Sequence, residues 1–419
     1  MTASFPPAVY LLVAGRLRPG LDGGFTIATL RRARDLAAAG ARPVLVTTDP
    51  GADPAADLAG FRALGLADDG TRLIGLRDWY RERGEEIELP YVVGRVDWHL
   101  AEEPVVLRSA AGDRELAGFG ALYREFIADV AATERAATGL AAAVVICESK
   151  QVGTLLAADA HREYALIHTV HSAHTSEPFE PDSPVDAIWA GWFAALDGFD
   201  AVLWPTAAQR RDAAVRFGER EGWAVVPHPA TPGVVASGAR DPWRVVVIAR
   251  LSAYKRVDHA LRAFVPLDAR ARLTVCGDGP ELERLRALAD KLGIADRVEF
   301  TGATPDAAER LAEAAVLLLT SQSEGQSLVV LEALSRGCPV VAYDVRYGPG
   351  EMIEDGVSGS LVSYGDIAGL TAALGRILGR PERIATLSRG AVAWAQSRGP
   401  EVSMAATALA VRGALARRH

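Results

Sequence analysis

The sequence predicts an α/β protein built from two Rossmann-like domains, the first carrying a β-hairpin insertion. Three observations carry that expectation. Short apolar runs alternate with amphipathic stretches along almost the whole chain, as the β–α units of a parallel, doubly wound sheet require. The alternation breaks once, at "HPATPGVVASGARDPW" (residues 228–243), where Pro and Gly replace periodicity, and then restarts. A length of 419 residues also exceeds what one hydrophobic core usually organises.

The elements follow in order. "AVYLLVA" is a first buried strand, and "FTIATLRRARDLAAAG" has apolar residues at helical spacing with Gly40 as its C-cap. "ARPVLVTT", "AAAVVIC", "YALIHTV", "FDAVLWPT" and "WAVVPHP" continue the strands of the first domain. After the break come "RVVVIARL", "ARLTVCGDG", "DRVEFTGA", "AAVLLLTS", "CPVVAYD" and "GSLVS". The expected domains are therefore 1–235 and 236–400, with 401–419 a final helix whose apolar face packs back on one of them. Residues 87–118 depart from the pattern: "VVGRVDWHL" and "PVVLRSAAGDREL" read as an inserted β-hairpin.

Composition narrows the function classes. A net charge of −8 argues against nucleic-acid binding, which calls for a basic surface. The three cysteines, Cys147, Cys276 and Cys338, stand among aliphatics with no C-x-x-C pair, which fits buried thiols in a cytoplasmic protein. No run approaches the roughly 18 apolar residues of a membrane span, so any membrane contact is expected to be peripheral. "AVYLLVAG" lacks the basic flank of a signal peptide.

Four stretches carry candidate chemistry. In "LRPGLDGGFT" (residues 17–26), Gly23 and Gly24 let backbone amides face an anion where a helix starts. "HTVHSAH" (residues 168–174) ends a strand, where open α/β sheets bind ligands, and places His171 toward a substrate and His168 in a structural hydrogen-bonding role. Its three histidines lack a zinc spacing such as H-E-x-x-H, and no metal site is expected. "IARLSAYKRVDHAL" offers Arg250 at a strand end and Lys255 before a helix, a guanidinium and an ammonium suited to phosphate. "SEGQSLVVLEALSRGCP" starts a helix near Ser327, with Glu324 before it and Glu332 one turn in, two acceptors for the hydroxyls of a polyol. Arginines also cluster at Arg31, Arg32 and Arg34, at Arg77, Arg81 and Arg83, and at Arg210 and Arg211. They make either a basic track for a polyanion or solvated faces balanced by neighbouring acids.

"RLSAYKRVDHAL" followed by "SEGQSLVVLEALSRGCPVVA" resembles the retaining glycosyltransferases of family four, whose signature is a glutamate, seven residues and a second glutamate after an upstream Arg and Lys. The resemblance implies the GT-B fold, two Rossmann-like domains facing across a cleft. It implies that Arg250 and Lys255 hold the diphosphate of a nucleotide sugar, most simply UDP-linked, and that Gly23 and Gly24 lie near the phosphates. Glu324, with the backbone of Gly325, Gln326, Ser327 and Leu328, would contact the donor sugar, Glu332 the ribose, and His171 the reaction centre. With no Asp-x-Asp present, a metal-independent reaction is implied. A narrower likeness, in "DAVLWPTAAQRRDAAVRFG", "EGQSLVVLEALSRGCPVVAYDVRYGPGEMI" and the "RDWYRE" region, points to the poly(glycerol-phosphate) or wall teichoic acid branch. That branch implies a hexose or N-acetylhexosamine moved to a hydroxyl of a polyol-phosphate polymer. A small natural-product or lipid acceptor, or a non-catalytic partner subunit of the same fold, are the alternatives. Oligomeric state is left open.

Overall fold

The computed structural model describes residues 4–20, 23–89, 99, 102–231, 240–304 and 306–418. They form two compact units, the first drawn from residues up to 226 and from 404 on, the second from 227 to 403.

In the first unit the chain runs β1 (Val9–Ala14), α1 (Gly23–Ala38), β2 (Val44–Thr47), α2 (Pro54–Ala63), β3 (Leu73–Gly75) and α3 (Leu76–Arg81). It continues through β4 (Glu85–Glu88), β5 (Val105–Ser109), β6 (Arg114–Leu116), α4 (Gly118–Thr138), β7 (Ala143–Cys147) and α5 (Lys150–Ala157). Then come β8 (Ala165–Thr169), α6 (Ala187–Ala194), β9 (Ala201–Trp204), α7 (Ala207–Phe217) and β10 (Trp223–Val225). Seven strands make one parallel sheet in the order β10-β9-β8-β7-β1-β2-β3. Strand β1 explains why: Val9, Leu11 and Val13 enter one buried cluster, and Tyr10, Leu12 and Ala14 enter another on the opposite face. A strand apolar on both faces needs helices on both, and parallel crossovers supply them.

The insertion is a three-stranded antiparallel sheet, β4-β5-β6, in which β5 and β6 form a hairpin and β4 pairs with the other edge of β5. Its first strand starts at Glu85, two residues before the expected insertion. Of the expected hairpin arm "VVGRVDWHL", residues 92–98 and 100 lie outside the described residues.

The second unit runs β11 (Asp241–Ile248), α8 (Val257–Phe264), β12 (Arg272–Cys276), α9 (Leu282–Lys291), β13 (Val298–Gly302), α10 (Ala307–Glu313) and β14 (Ala314–Leu319). It continues with α11 (Leu328–Ser335), β15 (Val340–Asp344), α12 (Pro349–Met352), β16 (Gly359–Ser363), α13 (Ile367–Ile377) and α14 (Pro381–Gln396). Six parallel strands are ordered β13-β12-β11-β14-β15-β16. The expected linker claims too much here, because Asp241, Pro242 and Trp243 belong to β11. A proline is tolerated there because the pairing with β14 is irregular between Asp241 and Val245. The expected boundary near residue 235 lies outside the described residues.

The last helix, α15 (Pro400–Ala416), delivers Met404, Ala410, Val411 and Ala414 to the first unit's core. Beyond it Arg418 forms an ion pair of 3.0 Å with Asp200. All three cysteines are buried and free. Among the described residues, no helix is long and apolar enough to cross a membrane.

Candidate functional site

A doubly wound sheet opens a crevice where its strand order reverses, beyond the carboxyl ends of the two strands on either side. In the second unit those strands are β11 and β14. The loops that leave them are the two that carry Arg250, Lys255 and Glu324.

The loops are stitched together by their backbones. Gln322 N–H donates to the Tyr254 carbonyl at 2.8 Å, and the Thr320 hydroxyl donates to the Lys255 carbonyl at 2.9 Å. Across this seam the Lys255 ammonium meets the Glu324 carboxylate at 2.8 Å, with 29% and 10% of the two side chains exposed. Arg250 is exposed. Its loop rests on the turn after β12, where glycine is obligatory. A Cβ on Gly277 would stand 1.8 Å from the Ala249 carbonyl oxygen, and one on Gly279 would stand 2.4 Å from that of Leu251. Both also hold φ in the region that L side chains rarely adopt, at +143° and +155°.

The rest of the signature turns inward. Glu324 exchanges backbone bonds with the loop after β15, its N–H donating to the Arg346 carbonyl and its carbonyl accepting from Tyr347 N–H. Gly325, Gln326 and Ser327 are buried, and the Gln326 side chain accepts from His228 N–H at 2.7 Å. The Gln326 side-chain oxygen is thus engaged within the protein. Leu328 opens α11, and Glu332, one turn in, is half-buried between fully buried neighbours. The structure thus gathers Arg250, Lys255, Glu324 and the start of α11 at one strand-end crevice, with Glu332 on the helix behind it.

In the first unit the strand order reverses between β7 and β1. Gly23 and Gly24 begin α1 as exposed residues, Gly23 at φ +39°. His171 lies just past β8, and its Nε2 is 2.5 Å from Glu148 Oε2. Glu148 is the first residue after β7, and its other oxygen faces Arg32 Nε of α1 at 2.9 Å. The side chains of this pair are 4% and 0% exposed. The Phe25 ring of α1 meets the His171 ring edge-on, with centroids 5.2 Å apart.

Sequence reasoning missed Glu148. The signal was available: a carboxylate directly after the unbroken apolar strand "AAAVVIC", at the end where ligands gather. It also misplaced two residues. Arg32 is no part of a surface track, because α1 turns it inward onto Glu148. His168 makes no hydrogen bond from either ring nitrogen. It packs between the Trp192 and Phe199 rings, with centroids at 5.1 and 5.4 Å, and burial pushes its pKa well below the ordinary imidazole value. His174 is buried too, its Nδ1 3.4 Å from the Gln209 amide nitrogen. The three histidines therefore face different environments, and no group of metal-holding side chains occurs among the described residues.

Several clustered arginines have acidic or aromatic partners. Arg81 pairs with Asp78, Arg210 pairs with Glu219, and Arg83 lies 3.4 Å from the Trp79 ring centroid and 3.5 Å from Asp129. A groove of about 560 Å³, lined in part by Glu125, Arg135, His161 and Tyr164, includes the loop that precedes β8. It therefore opens at the amino ends of the strands, the wrong end for a nucleotide.

Residues 236–393 match the family described as glycosyl transferases group 1. An exopolysaccharide phosphotransferase of Streptomyces coelicolor is 38% identical over 160 residues, 37% of this chain and 17% of that protein. The poly(glycerol-phosphate) α-glucosyltransferase of Bacillus subtilis is 31% identical over 189 residues, 43% of this chain and 28% of that protein. The chain thus spans less than a third of the length of either relative. The fold matches that of Staphylococcus aureus TarM, crystallised with fondaparinux, α-GlcNAc-glycerol and UDP. The TM-score is 0.82 at 14% identity, over 96% of this chain and 99% of that one.

Proposed function

We propose, from the premise that residues 236–393 form a group 1 glycosyl transferase domain on a GT-B fold, that this chain is a retaining glycosyltransferase. It moves a hexose or N-acetylhexosamine from a UDP-linked donor to a hydroxyl of a polyol-phosphate polymer. The observation that carries the reading is the Lys255–Glu324 contact at the reversal of the second sheet, with Arg250 exposed in the same loop system. Two cations there suit a diphosphate, and a carboxylate beside them suits sugar hydroxyls.

The roles divide as follows. Arg250 and Lys255 bind the diphosphate and stabilise the charge that grows on it as the sugar leaves. Glu324 and the backbone from Gly325 to Leu328 hold the sugar, and Glu332 holds the ribose. The amides of Gly23 and Gly24 serve the phosphates. His171 of the first unit meets a sugar hydroxyl. As the glycosidic bond breaks, the leaving phosphate oxygen takes the acceptor's proton on the same face, so configuration is kept without a covalent carboxylate intermediate. Arg, Lys and backbone amides do the electrostatic work, and no divalent ion is needed.

The polymer acceptor is supported by the likeness to the Bacillus subtilis enzyme. The phosphotransferase likeness covers too little of that protein to bring its activity here. A small or lipid acceptor is the second reading, favoured by the partnered state of Arg32, Arg81, Arg83 and Arg210. The test is a thermal-shift screen of nucleotide sugars, since a ligand of the folded state raises its apparent stability. Transfer with the best donor follows, with and without EDTA. UDP-sugars should stabilise, the product should keep the donor's anomeric configuration by NMR, and EDTA should leave the rate unchanged. An inverted product, or EDTA loss restored by a divalent ion, overturns the mechanism.

A further inference from the structure

We infer that Arg256 is a positioning residue for Lys255: its guanidinium clamps the left-handed turn between Lys255 and α8 and so fixes where the Lys255 ammonium is aimed. The inference rests on the proposed donor role of Lys255 and extends it to the next residue. Arg256 holds φ +45° and ψ +40°, a region that favours glycine. It joins a short 3-10 turn, Ala253–Lys255, to α8 and stands as the N-cap of that helix, where the dipole disfavours a cation. Glycine would meet neither penalty. An arginine in such a place implies a side chain whose contacts over-determine the turn.

Those contacts are present. Nε stands 3.2 Å from Asp258 Oδ1 and Nη2 stands 3.3 Å from Asp258 Oδ2, a bidentate fork. Nη2 also donates to His259 Nε2, and Nη1 donates to the Tyr364 hydroxyl at 3.3 Å. With Nε2 accepting, the neutral His259 ring donates from Nδ1 to the Tyr343 hydroxyl at 2.9 Å. The clamp thereby ties the turn to α8, to β15 and to the residue just past β16. The preceding turn is anchored as well. Arg256 N–H donates to the Ala253 carbonyl at 3.1 Å, and the Lys255 carbonyl accepts from the Thr320 hydroxyl at 2.9 Å. Between these two sets of anchors, the Arg256 dihedrals set how the chain leaves Lys255, whose ammonium then meets Glu324 at 2.8 Å.

The test separates the side chain from the backbone by substitution in the full chain. Arg256→Ala removes the clamp and leaves an L side chain at φ +45°. Arg256→Gly removes the same clamp but takes that φ without strain, and asparagine tolerates it better than alanine. The readout is UDP release from UDP-glucose or UDP-N-acetylglucosamine with a poly(glycerol phosphate) acceptor. The kcat of Arg256→Ala should fall by up to about 100-fold, the scale on which a misplaced reacting group acts, with donor KM changing less. Arg256→Gly should lose least and Arg256→Asn an intermediate amount, and Tm should follow the same order. A capping role alone would instead put asparagine above glycine. In a Lys255→Ala background Arg256→Ala should cost little more, because it acts through Lys255. Equal losses in the alanine and glycine variants, multiplying effects with Lys255→Ala, or wild-type kcat in Arg256→Ala would each overturn the inference while leaving Lys255 its role. Unchanged turnover in Lys255→Ala would defeat the donor reading of Lys255 itself, and the inference with it.

Discussion

Each unit places a charged group at the reversal of its parallel sheet, and the two are built differently. In the second unit Lys255 and Glu324 belong to facing loops, keep partial contact with solvent, and sit beside exposed Arg250. In the first unit Arg32, Glu148 and His171 come from a helix, a strand end and a loop, and the ion pair among them is sealed from water. A partly solvated pair is cheap to open, as the proposed capture of a phosphate by its ammonium would require. A sealed pair is costly to break and holds a third group in place. The same topology thus carries a partly solvated pair in one unit and a buried one in the other.

The largest expected effect sharpens this contrast by acid. His174 is fully buried and His99 nearly so, and burial pushes each down to about 4 from 6.5. His168 is displaced in the same direction. Below pH 6.5 the unfolded chain takes up protons that these folded histidines refuse. Their stabilisation is therefore complete above about 6.5 and is lost as pH falls toward 4. A shift of that size is worth roughly 3 kcal/mol per group. In the second unit His259 is lowered as well, by burial and then by Arg256. Hydrogen exchange followed from neutral pH to about 4.5 should show protection falling first in the first unit. Earlier loss in the second unit would contradict the assignment.

Next in size is the sealed pair itself. Arg32→Met leaves Glu148 buried without its cation and should cost about 3–5 kcal/mol in denaturant unfolding of the first unit. Lys255→Ala should cost about 1 kcal/mol or less in the second. Equal costs would erase the distinction between the two clusters.

Function should reverse that ranking. At the proposed donor site Lys255→Ala and Arg250→Ala would each remove a charge from the departing diphosphate, and turnover should fall on the order of 100-fold or more. Wild-type rates in both variants would refute the donor assignment. A finer division separates the two glutamates. Glu332→Ala should mainly raise donor KM, because ribose contacts are alike in ground and transition states. Glu324→Ala should mainly lower kcat, if the transferred sugar is held there as proposed. Steady-state kinetics with the opposite split would exchange their roles.

The smallest effect concerns the acceptor. Arg32 is buried and Arg81, Arg83 and Arg210 have acidic partners, which leaves Arg34, Arg77 and Arg211 as exposed cations of those clusters. Acceptor KM for a polyol-phosphate polymer should rise only modestly with salt, over a Debye length of about 8 Å at physiological strength. A steep rise would restore a basic track and strengthen the polymer reading over the small acceptor.

By itself the sequence determined the parts governed by local periodicity and by chain neighbours. The strand runs, the helix before Gly337 and the stretches holding Arg250, Lys255, Glu324 and Glu332 were legible because strand, loop and helix start follow one another in the chain. The irregular start of β11 was not legible, because whether Pro242 ends a linker or opens a strand depends on its pairing with β14. Tertiary structure alone decided the first unit's cluster. Arg32, Glu148 and His171 are separated by more than a hundred residues in all, and nothing local distinguishes Arg32 from Arg31 or Arg34. Only the winding of the sheet lays α1 beside the ends of β7 and β8, and burial then turns an ordinary arginine on a helix into the partner that holds a carboxylate against a histidine.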